Sequence, residues 1–175
     1  MPFTAHPGAL YNVLGSFNDY FRKQVTANGL PAFMPSSVVN TDWPQKPLTF
    51  PSFSVIHLGA EPREVAQGRN LDPGWRGAER IGLAEISVWE SYARASGNHA
   101  ANLRILRDMA ARVFVTGAGI NILDIYGTTA SPTSNGTIIR AGPVRDAPAP
   151  PDPNPDVMRL RLLVEYRWLE RATAG

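Results

Sequence analysis

The longest regular pattern in the chain is its last one, Val157 to Arg171, where apolar and polar positions alternate with period two. Met158, Leu160, Leu162, Val164, Tyr166 and Trp168 fall on one face. Arg159, Arg161, Glu165, Arg167 and Arg171 fall on the other, with Val157, Leu163 and Leu169 among them. Successive strand side chains point to opposite sides, so this alternation predicts a long antiparallel strand with one buried face. Such a strand needs a sheet beside it and a cover over its apolar face.

Two helical periods supply the cover. Leu10, Val13, Leu14, Phe17 and Phe21 form a 3.6-residue stripe within Pro7–Ala27. Pro7 suits a first helical position, and Asn28-Gly29 suits a stop. A second helix opens at Gly97-Asn98 and runs to about Val115, with Leu103, Leu106, Ala110, Val113 and Phe114 as its core stripe. Arg104, Asp108 and Arg112 step by four along its opposite side and are placed to pair. Ile105 and Met109 form a second, narrower apolar strip that a neighbour could cover.

Further strands are predicted at Phe53–Leu58, Arg80–Tyr92, Ile120–Tyr126 and Thr137–Arg140, with an extension of the last past Pro143 at a sheet edge left open. The Phe53 strand is apolar on both parities and reads as covered on both faces. Parity slips at Ala84-Glu85, which suggests a bulge there. The order implies one α+β domain over 1–175. It has a mainly antiparallel sheet of four to five strands, two helices packed on one face, and long Pro/Gly-rich loops. The loops are read at about 30–51, 59–79 and 146–156. Trp75 and Arg76 in the second are a candidate partner contact; the alternative is a loop folded back on its own sheet. Both 59–79 and 146–156 are expected to tighten on assembly.

Composition narrows the function classes. A net charge of only +2 lacks the strong field of a dedicated nucleic-acid binder. With no cysteine there is no disulfide frame, thiolate metal site or cysteine nucleophile. The first thirty residues show no charged start followed by an apolar run, so no signal peptide is read. No apolar run is long enough for a transmembrane helix, and no membrane partner is expected.

The usual chemical signatures are missing. Gly117-Ala-Gly119 follows a helix and lacks a third glycine, so it reads as a helix stop rather than a dinucleotide loop. His6, His57 and His99 have no ligand spacing, and His57 reads as a core or interface histidine. Glu85, Glu90, Asp124 and Glu165 are strand carboxylates, more readily paired with arginines such as Arg140 or Arg167 than with each other. There is no Gly-x-Ser-x-Gly elbow. No catalytic, cofactor or metal residue is expected.

Arginine is the repeated theme. Arg159, Arg161, Arg167 and Arg171 share a strand face, with Arg140 a candidate neighbour. The favoured reading is a subunit contact paired to acids. A DNA path and a solvated sheet face are the alternatives.

The layout resembles a known family. An amphipathic first helix precedes two strands, and Asn102-Leu-Arg-Ile-Leu-Arg-Asp108 leads to Ile120-Asn-Ile-Leu-Asp-Ile-Tyr-Gly127. Gly136-Thr-Ile-Ile-Arg140, a spacer and Arg159-Leu-Arg-Leu-Leu-Val-Glu-Tyr-Arg-Trp168 follow. This order is similar to the tail terminator proteins of long-tailed bacteriophages, also called tail completion or minor tail proteins, over about residues 7–171. The resemblance implies a virion protein of the tail and neck, made in the host cytoplasm, without catalysis or cofactor. Its partners would be itself in a hexameric ring, the tail tube protein and a neck or connector protein. Genomic DNA would pass through the ring with non-specific contact at most. The three loop stretches exceed a minimal member. Other readings are a different head-tail connector of the same particle, a small enzyme using Glu85 and Asp124, and a duplex-DNA-binding protein using Arg159 and Arg161.

Overall fold

A computed structural model describes residues 10–27, 29–34, 39–40, 49–62, 69–72, 75–93, 97–115, 120–121, 138–150 and 154–173. Helix α1 spans Leu10–Ala27 and α2 spans His99–Val115. The strands are β1 (Val39–Asn40), β2 (Ser52–Pro62), β3 (Arg69–Asp72), β4 (Trp75–Ser91), β5 (Ile120–Asn121), β6 (Ile138–Ala147) and β7 (Val157–Thr173). Four long antiparallel strands, β2-β4-β7-β6, make the body of the sheet. The short strands lie at its margins: β1 parallel to β2, β3 beside the start of β4, and β5 beside β6.

The predicted closing strand is the partner of β4 along its whole length. Trp75↔Thr173 through Ser91↔Val157 pair without a break. Period-two alternation then puts Leu162, Val164, Tyr166 and Trp168 of β7 on one face with Ala84, Ile86 and Val88 of β4 and Phe53 and Val55 of β2. All of them are buried. Phe17, Phe21 and Val25 of α1 and Leu103, Leu106, Ala110, Val113 and Phe114 of α2 complete this core. Both helices therefore cover the same face, giving an α+β arrangement. Aromatic rings join the layers. Phe114 of α2 stacks on Phe17 and Phe21 of α1 at 5.3 and 5.9 Å, and Phe21 meets Phe53 of β2 edge-on at 5.6 Å. Helix α1 ends where Gly29 takes a φ of 78°, a left-handed conformation that glycine adopts without steric cost, and its N–H bonds back to the Thr26 carbonyl.

Several expectations need correction. The stretch 59–79 carries strand over much of its length, because β2 runs to Pro62, β3 occupies 69–72 and β4 already begins at Trp75. Its prolines and glycines suggest breaks, but pairing with β4 at 59–62 and 69–72 and with β7 at 75–79 holds the backbone extended. The expected irregularity at Ala84-Glu85 is displaced onto the neighbouring strand: β4 is regular there, and the register shift falls between His57 and Gly59 of β2. The extension of the Thr137–Arg140 strand past Pro143 is present: β6 runs to Ala147, stepping past Gly142-Pro143 by a register shift between Ala141 and Val144. Asp146 and Ala147 thus belong to β6 rather than to the spacer. On α2, Asp108 pairs with Arg107 instead of Arg104 or Arg112. Arg107 also makes a two-pronged bond to Asp146, Nε to Oδ1 at 2.9 Å and Nη2 to Oδ2 at 2.7 Å, tying the helix to β6. From the stretch 30–51, Leu30, Phe33 and Met34 pack against the core. Residues 122–126 of the expected Ile120–Tyr126 strand lie outside the described residues, as do Pro7, His6 and Asp124.

Candidate functional site

The face of the sheet turned away from the helices carries the arginines. Register decides which acids they meet. Arg159 lies opposite Trp89, Arg161 opposite Ser87, and Leu163 opposite Glu85. Both arginines reach diagonally along this face to Glu85. Arg159 donates from Nη2 to Glu85 Oε1, and Arg161 donates from Nη2 to Glu85 Oε2. One carboxylate is thereby clamped between two guanidinium groups on adjacent same-face positions of β7.

Smaller groups complete the clamp. Arg159 Nε donates to Ser87 Oγ at 2.9 Å, and Ser87 Oγ donates on to Glu85 Oε1 at 2.8 Å. The Arg159 guanidinium carbon sits 4.6 Å from the centre of the Trp89 ring, a cation–π distance. Trp89 Nε1 donates to Ser54 Oγ of β2 at 2.9 Å, so the network crosses three strands. Arg161 also donates from Nη1 to the Pro148 carbonyl at 2.7 Å, fixing the start of the proline-rich spacer.

Glu85 is 2% exposed, whereas the arginine side chains keep 17% and 23% of their surface open. Burial alone pushes the Glu85 carboxyl up. Hydrogen bonds from Arg161 and Ser87 and the charges of Arg159 and Arg161 outweigh it, and hold the group below its ordinary value. The carboxylate is therefore ionised with both oxygens occupied, a poor general acid and an obstructed nucleophile. Two cations on one anion leave one surplus positive charge at the surface. The chemistry available is electrostatic and structural: orientation of β7 against β4, and a cationic patch for an acidic neighbour.

The remaining candidates are distributed as follows. Arg167 is 40% exposed and bonds within its own strand to Glu165 Oε1 at 2.7 Å. Arg140 is the register partner of Arg167 on β6. Arg171 is the register partner of Gly77. Trp75 and Arg76 are strand residues rather than loop residues, paired with Thr173 and Ala172. Ile105 and Met109 lie on α2, across the sheet from the arginines. Ile105 is 47% exposed, while Met109 packs partly against the core.

Among the described residues the strand carboxylates divide between the two faces, Glu85 and Glu165 on one and Glu90 on the other. Glu85 and Glu90 have opposite parity on β4, and buried Glu90 accepts from the Ser91 N–H at 2.9 Å on the helix side. Among the described residues no group of three or more His, Cys, Asp or Glu side chains is placed to hold a metal ion, and no helix is long and apolar enough to cross a membrane. Pattern alone missed Ser54, Ser87 and Trp89. Their signal was parity: all three fall on the face that also carries Glu85 once β4 is regular. Exposed Arg145, opposite Leu163 on β6, belongs to the same face and was missed too. Neither a protein-family model nor a curated protein sequence matches the chain.

Proposed function

We propose that the chain is a structural subunit of a bacteriophage virion, forming a ring that caps the tail tube and joins it to the head-proximal neck. The observation that carries this reading is the element order on a one-sided α+β sheet: helix, two long strands, helix, then the β6–β7 pair, with both helices on one face. The resemblance to tail terminators rests on that order. The arginine face supports it as well. Two of its arginines, Arg159 and Arg161, are held in fixed geometry by Glu85, which favours repeated protein contact over adjustable grip on passing DNA. Six copies, a tail tube protein and a neck or connector protein are the partners of this reading, and the virion neck is its location. Contact with the genome would be non-specific.

The test is the mass and shape of the purified protein, alone and mixed with tail tubes, by native mass measurement and negative-stain imaging. A closed ring that binds tube ends is the expected result. A strict monomer that never binds tube ends sinks the proposal. A ring that binds the portal side alone would assign the chain to another connector of the same particle.

A further inference from the structure

We infer that His57 is an acid-operated latch on α1: the neutral imidazole holds the helix against the sheet, and the protonated one releases it. The inference is independent of the ring reading, because it concerns the packing of one chain.

The imidazole lies on the helix-facing side of β2. Its Nε2 is 3.1 Å from Asn18 Oδ1 of α1. With Asn18 presenting its oxygen, Nε2 carries the proton and Nδ1 is left as a bare acceptor. Phe17 of α1 packs against the ring at 5.4 Å and 78°, and Tyr166 of β7 at 5.6 Å and 82°. Nδ1 is buried without a hydrogen-bond partner, and so is the Tyr166 hydroxyl. On β4 the register partner is Ala84. The imidazole thus contacts Phe17, Asn18 and Tyr166 and is the register partner of Ala84, and no carboxylate is among these four.

Protonation adds a second N–H at Nδ1, where no acceptor stands, and a charge inside an aromatic box. Burial accordingly pushes the imidazole down from 6.5 to about 4. The site relieves the charge by letting in water, and α1 is the wall that no backbone ladder ties to the sheet. Strand β2 is held to β4 by a backbone ladder, and Tyr166 stands on the fully paired β7. Helix α1 is held by side chains. The Asn18–His57 hydrogen bond and the core packing of Phe17, Phe21 and Val25 are among the contacts that hold it.

The direction follows from linkage. A lowered folded value means that the contact is fully present above pH 6.5 and is lost as pH falls toward 4. If the released helix leaves His57 at its ordinary value, opening becomes about twentyfold more favourable between pH 7 and pH 5.

The experiment is hydrogen exchange on the full chain at both pH values, corrected for intrinsic rates, with a proton NMR titration of His57. Protection over residues 10–27 should fall about twentyfold while that over 157–168 holds, and His57 should titrate near 4. His57→Phe fills the ring's place and cannot charge, so the pH response should vanish. A His57 midpoint near 6.5, unchanged α1 exchange, or a pH response retained in His57→Phe overturns the latch. If His57→Phe fails to fold, the two measurements on the unaltered protein decide.

Discussion

Tyr166 lies across the place where Gly82 has no side chain. The two residues are register partners on β7 and β4, and a Cβ built on Gly82 would come within 2.3 Å of the tyrosine ring. The missing methyl lets the ring cross β4 toward His57 on β2 and lie under Phe17 of α1. Burial there pushes the Tyr166 phenol up to about 12, so it stays a neutral hydroxyl at any physiological pH.

Gly82→Ala should therefore destabilise the fold, although alanine favours strand formation more than glycine does. Overpacking a filled core costs about 1–3 kcal/mol, and here the obstructed group is the ring body of a buried residue. Urea unfolding is the measurement. A loss below about 0.5 kcal/mol, the range of an ordinary surface change, would mean that the ring has another place to go.

Glu85→Gln should cost more than any other single change on the arginine face. Removing one member of a buried pair costs about 3–5 kcal/mol, and the partial exposure of both arginines lowers the expectation to about 2–3 kcal/mol. The same contact predicts acid sensitivity. Above 4.5, the ordinary value of the group, folded and unfolded chains are both ionised and the contribution is complete. As pH falls the unfolded chain takes up the proton first, so stability drains until pH passes the lowered folded value. Comparing denaturation of the parent and Glu85→Gln at pH 7 and pH 3 checks this, because the gap between them should narrow in acid.

This clamp also marks the limit of what pattern can read. The period-two alternation of β7 gave its two faces without neighbours, and the 3.6-residue stripes gave both helices. Which acid meets Arg159 depends on register, and register is set by turns and bulges elsewhere in the chain. The extra residue, Leu58, sits in β2, whereas the parity slip pointed to β4. Strand propensity failed at 59–79 for a related reason. Pro62, Pro73-Gly74 and Gly77 signal a loop locally, but Arg76 and Gly77 have β7 on one side and β3 on the other. Cross-strand pairing outweighs local preference there.

Asp146→Asn should leave global stability within about 1 kcal/mol, as is usual for exposed ion pairs, yet loosen one edge of the sheet. Arg107 grips Asp146 with two nitrogens, and that grip, together with Asp108, raises the guanidinium further above its ordinary range. Residues 144–147 of β6 pair with β7 on one side, while β5 reaches only Ile138 and Ile139 on the other. Amide exchange at 144–147 should therefore quicken while the β4–β7 ladder keeps its protection. Equal quickening in both strands would show that the grip supports the whole sheet rather than its edge.

Arg167→Glu is the change that separates assembly from folding. Arg159 and Arg161 are engaged by Glu85, so replacing either one confounds a lost contact with a weakened fold. Arg167 is bonded only to Glu165 among the described residues, two positions along its own strand, and keeps 40% of its side chain open. Reversing its charge should cost the monomer about 1 kcal/mol or less. If the arginine face meets an acidic surface on a neighbouring copy, the same change places like charges across that contact, which costs several kcal/mol. Ring formation should then fail while the thermal midpoint of the monomer holds, with Arg104→Glu on exposed α2 as the control that still assembles. Sedimentation of the three proteins at equal concentration reads the outcome. Unaltered rings from Arg167→Glu would move the subunit contact off this face and onto the helix side, where Ile105 is exposed.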